Sequence, residues 1–424
     1  MFFDTATETL DRAALKQRQL QRAQALLTEI LPSNKFYARK LGRECRVEDW
    51  SDFRRLPFTT KSELAQDQEN EPPYGTVLTY PLEKYVKFHQ TSGTTGKQPI
   101  RWLDTEESWD WWANCWGHVF RGAGVGPSDR VFYAFSFGPF IGFWAAYEGA
   151  RKVGALTVPG GGMETQMRLK AMRDIDATVL CCTPTYALRM AEVAHDMGMD
   201  LRSLGVRATV HAGEPGASIP AVRDRIEQAF GAQCYDHTGM TELGATGFTC
   251  QEKSGVHLIE SEFVFEVIDP ATCEPVEDGE QGELVATNLG RAGSPLIRYR
   301  TGDLVELDPS PCHCGRTFAR LKGGILGRAD DMIIVRGMNI FPSAIEGVLR
   351  EFPEINEFRI EISQQREMDE LRVLIDAQSG TDPAFAREVG QRLHDRLYMR
   401  VPCEMVPPGS LPRFELKARR VVRI

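Results

Sequence analysis

Hydrophobic and polar positions over residues 130–236 alternate between two periods, which predicts a repeat of strands and helices. Short apolar runs predict strands at Val131–Phe135, Ala155–Val158, Thr178–Cys182, Arg207–Ala212 and Gln233–Asp236. The amphipathic stretches between them predict helices at Gly142–Val153, Met163–Ile175, Thr185–Met197 and Ile219–Phe230. We therefore expect an α/β domain with a mostly parallel sheet, whose ligands bind beyond the carboxyl ends of the strands.

The flanking regions carry other patterns. Residues 5–31 predict one amphipathic helix, Thr60 predicts a helix cap, and the tryptophan-rich stretch 109–120 predicts a helix with a buried aromatic face. Short strands separated by Pro, Gly and Asp over 256–310 predict an antiparallel sheet or small barrel. Helix and strand patterns from Ser343 to Val406 predict a compact α+β unit. We expect a large domain over 1–327 and a small mobile domain over 328–424.

Composition narrows the class of protein. The chain has 424 residues, 42% hydrophobic and 26% charged, with a formal net charge of −9. This charge argues against nucleic-acid and anionic-membrane partners, since both bind basic faces. We see no apolar run near the ~20 residues of a membrane span, no secretory pattern at the start, and ten cysteines without a disulfide framework. A cytoplasmic enzyme is the expectation.

One glycine-rich stretch has the chemistry of a polyphosphate loop. It comprises Thr91, Ser92, Gly93, Thr94, Thr95, Gly96 and Lys97. Glycines let backbone N–H groups approach a ligand closely, hydroxyls add donors, and the lysine adds a positive charge. The spacing differs from the GxxxxGK[ST] loop, because two residues separate the glycines and Gln98 follows the lysine. A flexible polar linker is the alternative interpretation.

Two further glycine-containing segments follow predicted strands, namely HAGEPG at 211–216 and DHTGMTE at 236–242. Both are predicted to be loops, and each carries one glutamate. Since carboxyl ends of parallel strands share one edge of a sheet, we expect the site between these segments and the loop 91–97.

Five segments together resemble the adenylate-forming acyl-CoA synthetases, in the phenylacetate–CoA ligase branch. They are TSGTTGKQ at 91–98, HTGMTE at 237–242, YRTGDL at 299–304, GRADDMIIVRGMNIFPSAIE at 327–346 and LPRFELKARR at 411–420. The resemblance implies that a carboxylate attacks the α-phosphorus of ATP, and that coenzyme A then displaces AMP from the acyl-adenylate. Catalysis of this kind consists largely of charge neutralisation and positioning.

The resemblance also implies roles for individual residues. The loop 91–97 would hold the leaving phosphates, Glu242 would bind Mg²⁺, and Thr241 would donate to the α-phosphate. Asp303 would accept from the ribose hydroxyls and Arg328 would contact ribose or phosphate. Lys417 would stabilise charge during adenylation, and Asp330 would be the hinge of the C-terminal unit. The segments expected around adenine are Gly213, Glu214 and Pro215, and Asp236, His237 and Thr238.

Two positions depart from the family pattern. Thr238 stands where relatives have a tyrosine, so adenine loses a stacking surface unless Tyr235 or His237 supplies one. Leu416 replaces a glycine before Lys417. Helix capping by Glu242, a turn at Asp303 and a solvated basic tail around Lys417 are the structural alternatives.

An aromatic segment, YAFSFGPF at 133–140, lies where the family builds part of its acid pocket. Tyr133, Phe135, Phe140, His211 and Ala212 are the candidate pocket residues. They would suit a flat aromatic acid, and core packing is the alternative.

A second set of residues is independent of ATP. Cys250, His257, Cys312 and Cys314 provide three thiolates and one imidazole, which form a closed tetrahedral set for structural Zn²⁺. Free thiols are the alternative, since CHC spacing is looser than CxxC.

The expected function is ATP-dependent ligation of a carboxylic acid, phenylacetate-like and aromatic, to coenzyme A, with Mg²⁺. The partners are small molecules, and a homodimer is left open. Alternatives are adenylation with transfer to a carrier protein, an amine or a cofactor hydroxyl, and a non-catalytic binding protein with this fold.

Overall fold

The computed structural model describes residues 1–91, 99–139, 141–214, 216–329, 333–335, 338–365, 368–397, 399–414 and 420–424. For Phe143, 333–335, 338–339, 364–365 and 368–369 it describes the backbone only.

The first seventy residues form helices α1 (Thr5–Glu8), α2 (Arg12–Ile30), α3 (Lys35–Leu41), α4 (Trp50–Arg55) and α5 (Lys61–Asn70). The prediction of one helix over 5–31 is wrong, because the helix is interrupted between Glu8 and Arg12. Asp4 and Asp11 each cap a new helix by accepting a backbone N–H bond. The predicted cap at Thr60 is confirmed and forms a capping box with Glu63.

A hairpin of β1 (Tyr85–Gln90) and β2 (Arg101–Thr105) leads into α6 (Glu106–Gly122), the predicted tryptophan-rich helix. Five strands then lie parallel in the order β4 (Leu156–Pro159), β3 (Arg130–Tyr133), β5 (Val179–Cys182), β6 (Ala208–His211) and β7 (Gln233–Met240). Helix α7 (Gly142–Lys152) and α6 pack on one face. Helices α8 (Thr165–Asp174), α9 (Pro184–Asp196) and α10 (Pro220–Phe230) pack on the other.

The sheet continues beyond β7 with antiparallel strands. These are β8 (Gly244–Thr249), β9 (Val256–Leu258), β10 (Phe263–Ile268), β11 (Gln281–Asn288), β12 (Tyr299–Asp308), β13 (Arg320–Leu321) and β14 (Gly327–Arg328). The predicted combination of parallel and antiparallel strands is therefore confirmed. Among the described residues the two parts form one twelve-stranded sheet.

The remaining described residues form a second sheet with its own core around Ile345, Val373 and Val389. Its strands are β15 (Ile333–Val335), β16 (Met338–Ile340), β17 (Ile355–Gln365), β18 (Met368–Ala377), β19 (Cys403–Val406) and β20 (Val421–Arg423). Helices α11 (Pro342–Leu349) and α12 (Phe385–Leu397) complete the predicted α+β unit. Among all described helices, none combines the length and apolar character needed to cross a bilayer.

Candidate functional site

The strands β1 and β2 come directly before and after the glycine-rich segment in the chain. Thr91 closes its base, since Thr91 N donates to Ile100 O (3.0 Å) and Ile100 N donates to Thr91 Oγ1 (3.0 Å). The neighbouring Gln90 N donates to Pro139 O (2.9 Å), which joins the hairpin to the aromatic segment after β3. The ends of the predicted phosphate loop and of the predicted acid pocket are therefore adjacent.

Most of the segment DHTGMTE belongs to strand β7, so its prediction as a loop is wrong. Residues 233–236 pair in parallel with β6, and residues 237–240 pair antiparallel with β8, with a bulge after Thr238. The change of partner extends the strand past the point where its apolar pattern ends. Thr241 and Glu242 follow in the turn to β8.

Alternation along β7 places Tyr235 and His237 on one face of the sheet and Asp236 and Thr238 on the other. The His237 ring packs on Trp116, with ring centroids 4.2 Å apart, and its Nδ1 lies 2.9 Å from Gly247 O. Burial lowers the pKa of His237 to about 4. Tyr235 and His237 thus lie on the opposite face of the sheet from Thr238.

Asp236 is a buried carboxylate at the end of the parallel pairing. It accepts hydrogen bonds from Ser218 Oγ and from His237 N (3.0 Å). Burial raises the pKa of Asp236 to about 6. A Cβ added to Gly324 would lie 3.4 Å from Asp236 Oδ2, so the loop between β13 and β14 approaches Asp236 closely.

Glu242 is buried and is held from two sides. Arg291 Nη1 donates to the carbonyl oxygens of Thr241 (3.1 Å) and Glu242 (2.7 Å). Arg291 itself is fully buried and makes a two-pronged ion pair with Asp104 (2.6 and 2.8 Å). From solvent, Lys61 Nζ lies 3.2 Å from Glu242 Oε1.

Sequence reasoning missed Lys61, Arg291 and Asp104. The cap residue Thr60 places Lys61 at the first position of α5, but its contact with Glu242 joins distant segments of the chain. Thr59, just before Thr60, pairs with β12 through hydrogen bonds to Arg298 O (2.9 Å) and from Arg300 N (2.9 Å). The start of α5 thus connects Glu242 with the strand that carries Asp303.

Asp303 and Arg328 are paired residues of the neighbouring strands β12 and β14. Arg328 Nη1 lies 2.9 Å from Asp303 Oδ1 and 2.8 Å from Thr301 O. Gly302, between Thr301 and Asp303 in the chain, has φ +74°. A Cβ added to Gly302 would lie 2.7 Å from Arg328 Nη2. The backbone conformation therefore favours glycine in the YRTGDL segment, and a side chain there would displace the Arg328 guanidinium.

In the segment 211–216, Gly213 has φ +95°, a conformation that favours glycine. Glu214 Oε1 accepts from Thr185 N (2.9 Å) at the start of α9. Its side chain therefore contacts a helix N-terminus, where a carboxylate is stabilised by unpaired backbone N–H groups.

The predicted pocket residues lie on both sides of the sheet. Tyr133 aligns with Cys181 on the face of α6 and α7, and its hydroxyl donates to Ala146 O (2.9 Å). His211 aligns with Cys182 on the opposite face, and its Nδ1 lies 3.2 Å from Cys182 O. Burial lowers the His211 pKa to about 4. The structure thus does not bring Tyr133 and His211 to one wall, because one step along a strand reverses the side-chain direction.

An aromatic cluster does form on the side of Tyr133. Phe137 contacts Trp144 (centroids 4.7 Å apart), and Tyr133 and Tyr147 pack at 5.6 Å. Phe135 lies against Gly142, at which an added Cβ would meet its ring at 3.1 Å. Ala212 packs against the same core. Sequence reasoning missed Trp144 and Tyr147, which come from α7.

Comparison with known families identifies the chain. Residues 56–290 match the AMP-binding enzyme family and residues 337–423 match the AMP-binding enzyme C-terminal domain.

The chain belongs to the AMP-binding enzyme family.

Curated relatives place this AMP-binding enzyme in the predicted branch. It is 31% identical over 455 aligned residues to a phenylacetate-coenzyme A ligase of Thermus thermophilus, with 100% of this chain and 99% of the relative covered. It is also 31% identical over 430 residues to the phenylacetate-coenzyme A ligase of Escherichia coli, covering 98% and 96%. The predicted class of enzyme, an AMP-forming acid–CoA ligase, is confirmed.

A solved structure of 2-hydroxyisobutyryl-CoA ligase is also similar. In its post-adenylation state with an acyl-AMP, that protein matches with a TM-score of 0.92 and 32% identity, covering 99% of this chain and 91% of the other. The structure of the same ligase in its thioesterification state with coenzyme A matches this chain with a TM-score of 0.74. This match covers 98% of this chain and 91% of the other. The arrangement of this AMP-binding enzyme is therefore closer to the first state.

Several predicted residues lie outside the described residues. They are Ser92, Gly93, Thr94, Thr95, Gly96 and Lys97 of the phosphate loop, Phe140 of the pocket, Pro215, the hinge residue Asp330, and Lys417. Their roles stay predictions.

Proposed function

We propose that this AMP-binding enzyme activates an aromatic carboxylic acid of the phenylacetate type with ATP and transfers the acyl group to coenzyme A. The observation that carries the acid class is the cluster of Tyr133, Phe135, Phe137, Trp144 and Tyr147 beside the base of the glycine-rich hairpin. Stacked and edge-on contacts with a flat ring are what such a cluster offers a ligand. The full-length similarity to two phenylacetate-coenzyme A ligases supports the same acid.

We propose that the nucleotide binds between the segments that the hydrogen bonds connect. Asp303 accepts from the ribose hydroxyls and Arg328, paired with it, contacts ribose or phosphate. Asp236, Thr238 and the backbone of Gly213–Glu214 surround adenine. Thr241 donates to the α-phosphate, and the loop 91–97 holds the leaving phosphates. This arrangement neutralises ATP while a carboxylate attacks it, which is the chief demand of the reaction.

We propose Glu242 as the ligand of Mg²⁺. The side chain is buried, its backbone is fixed by Arg291, and its carboxylate already faces one cation, Lys61. An oxygen donor in this position fits Mg²⁺, which keeps several waters and binds through one or two carboxylates together with phosphates. When bound, the metal supplies positive charge to the phosphate oxygens.

We propose a boundary between a large domain over 1–327 and a mobile domain over 328–424, with Asp330 as the hinge. The lower similarity to the thioesterification state of the 2-hydroxyisobutyryl-CoA ligase supports this proposal, since the two TM-scores compare states of one protein. Arg413 Nη1 lies 3.4 Å from Glu192 Oε1, and Arg420 Nη2 lies 3.4 Å from Thr185 Oγ1. These contacts to α9 come from residues on either side of 414–419 and support the proposed role of Lys417 in adenylation.

We also propose a location for the protein in the cell and an oligomeric state. Ten cysteines without a disulfide are typical of a reducing compartment and support the cytoplasm. A homodimer is tested by light scattering of the full-length protein.

A second candidate substrate is a small branched hydroxy acid, favoured by the similarity to 2-hydroxyisobutyryl-CoA ligase. The deciding experiment measures acid-dependent ATP–pyrophosphate exchange and acyl-CoA formation with phenylacetate, benzoate, 2-hydroxyisobutyrate and hexanoate. We expect the highest kcat/KM for phenylacetate. Preference for 2-hydroxyisobutyrate or hexanoate would contradict the aromatic assignment and leave the ligase assignment intact.

A further inference from the structure

Four potential metal ligands converge around β9, which lies between β8 and β13 in the sheet. Cys250 follows β8, His257 lies in β9, and Cys312 and Cys314 belong to the loop between β12 and β13. One ligand atom from each residue lies within 4.8 Å of all the others. Cys250, His257 and Cys312 are buried, and Cys314 is half-buried. Residues far apart in the sequence thus meet as one compact set of three sulfurs and one nitrogen.

Two of the six distances between these ligand atoms match the edges of a coordination tetrahedron, and all six are at most 4.8 Å. Cys250 Sγ and Cys312 Sγ are 3.8 Å apart, and Cys314 Sγ and His257 Nε2 are 3.5 Å apart. Tetrahedral Zn²⁺, with bonds of ~2.3 Å to sulfur and ~2.0–2.1 Å to nitrogen, requires edges of ~3.8 Å between sulfurs and ~3.6 Å between sulfur and nitrogen. A disulfide would instead need a sulfur separation of ~2.05 Å.

The histidine is oriented for metal binding. His257 Nδ1 lies 3.1 Å from Phe318 O, so this nitrogen donates its proton to a backbone carbonyl. That hydrogen bond leaves Nε2, the atom nearest Cys314, with its lone pair. Metal-bound histidines are usually fixed in this way by a carbonyl or carboxylate on the other nitrogen.

We propose that Cys250, His257, Cys312 and Cys314 bind one structural Zn²⁺. Three thiolates and an imidazole form a closed four-coordinate set, which is typical of structural zinc rather than of a catalytic site with an open position. Mg²⁺ and Ca²⁺ prefer oxygen ligands, and this set contains none. The proposal does not depend on the proposed ligase function.

The metal would fix a loop that also secures the N-terminal helices. Arg316, two residues after Cys314, places Nε 2.5 Å from Glu8 Oε2. Glu8 is fully buried and lies 3.1 Å from His118 Nδ1, and Thr317 N donates to Glu8 O (3.1 Å). Because Arg316 neutralises a buried carboxylate, release of the loop would leave Glu8 without its arginine partner. Zinc therefore stabilises the attachment of the segment before α2.

The first test is metal analysis of the full-length protein, expressed in zinc-containing medium and dialysed against metal-free buffer. We expect about one zinc per chain. Cys312→Ser and Cys314→Ser should each lower the zinc content by about tenfold or more, whereas Cys45→Ser, a half-buried cysteine outside the set, should retain it. Folded wild-type protein that holds no zinc and takes up none when Zn²⁺ is added would overturn the proposal.

A second measurement uses the wild-type chain and so does not depend on folded variants. Replacement of the metal by Co²⁺ should give the thiolate-to-cobalt charge-transfer bands and intense d–d bands of a tetrahedral thiolate site. A weak octahedral spectrum without charge-transfer bands would overturn the assignment. Chelation should also speed proteolytic cleavage before residue 12 at least about threefold. An unchanged cleavage rate in zinc-depleted protein would overturn the proposed attachment of the N-terminal segment.

Discussion

Lys61 Nζ lies 3.2 Å from Glu242 Oε1, so an exposed ammonium faces the buried carboxylate proposed to bind Mg²⁺. The pair joins the start of α5 to the turn after β7, and Thr59 joins the same helix start to β12. Three parts of the proposed nucleotide site are thereby held together before any ligand binds. Under the proposed function, Glu242 would hold Mg²⁺ and Lys61 would add a second positive charge near the phosphates.

Lys61→Met should raise the KM for ATP about tenfold, because one charge-assisted contact contributes ~1.5–3 kcal/mol when desolvated and less when exposed. The measurement is ATP-dependent acyl-CoA formation at saturating acid and coenzyme A. Lys152→Met, which removes a surface ion pair with Asp110, is the control and should leave the KM unchanged. Equal KM values for Lys61→Met and wild type would exclude a contact of Lys61 with the nucleotide.

Asp104→Asn should lower the free energy of unfolding by ~3 kcal/mol, because it leaves the buried Arg291 guanidinium without its counter-charge. Urea unfolding provides the measurement. Asp110→Asn on the surface is the matched control and should change stability by less than ~0.5 kcal/mol. If both variants unfold alike, the Asp104–Arg291 pair does not anchor the turn at Glu242.

Gly302→Ala should weaken AMP binding, since the new Cβ would displace Arg328 from Asp303. Gly205→Ala is the control, because Gly205 has the same φ of +74° and nothing within 4 Å of an added Cβ. Both variants should lose ~1–2 kcal/mol of stability from the left-handed backbone. Isothermal titration should detect at least about a tenfold loss of AMP affinity in Gly302→Ala alone. Unaltered affinity there would count against the roles of Asp303 and Arg328.

Asp236 should make stability depend on pH in a defined direction. Burial raises its pKa to about 6 in the folded protein, above the ~3.9 of an unfolded chain. The folded state therefore binds the proton more tightly, and the stability contributed by Asp236 is full below about pH 4 and lost as pH rises through 6. The free energy of unfolding of the wild type, minus that of Asp236→Asn, should therefore fall as the pH rises from 4 to 6. A constant difference would show that the carboxylate is not desolvated.

Much of the fold can be predicted from the sequence, because hydrophobic periodicity and helix capping depend on residues that are close together in the chain. Alternating strands and helices over 130–236 were found within a few residues, and the Thr60 cap was found together with its helix. The break between α1 and α2 was missed, since Asp11 interrupts an otherwise continuous amphipathic pattern. The pairing of β7 with β8 was missed because pairing depends on a partner strand rather than on the strand itself.

The candidate site was predicted unevenly for similar reasons. Motifs indicate Glu242, Asp303 and Arg328 as candidate site residues. Residue chemistry alone indicates Cys250, His257, Cys312 and Cys314, which the fold brings together. Lys61, Arg291 and Asp104 act through contacts between distant segments, which no local pattern reveals. Tyr133 and His211 were grouped by position in the chain, and the alternation of strand side chains then separated them.

The most direct test of the account is acyl transfer by the purified full-length chain supplied with phenylacetate, ATP, Mg²⁺ and coenzyme A. We predict equal amounts of phenylacetyl-CoA, AMP and pyrophosphate, with ATP–pyrophosphate exchange that requires the acid but not coenzyme A. Glu242→Gln should lower both rates by about a hundredfold or more, as removal of a transition-state charge contact does. A folded protein that releases no AMP with any carboxylic acid, or that retains full activity as Glu242→Gln, would contradict the proposed site.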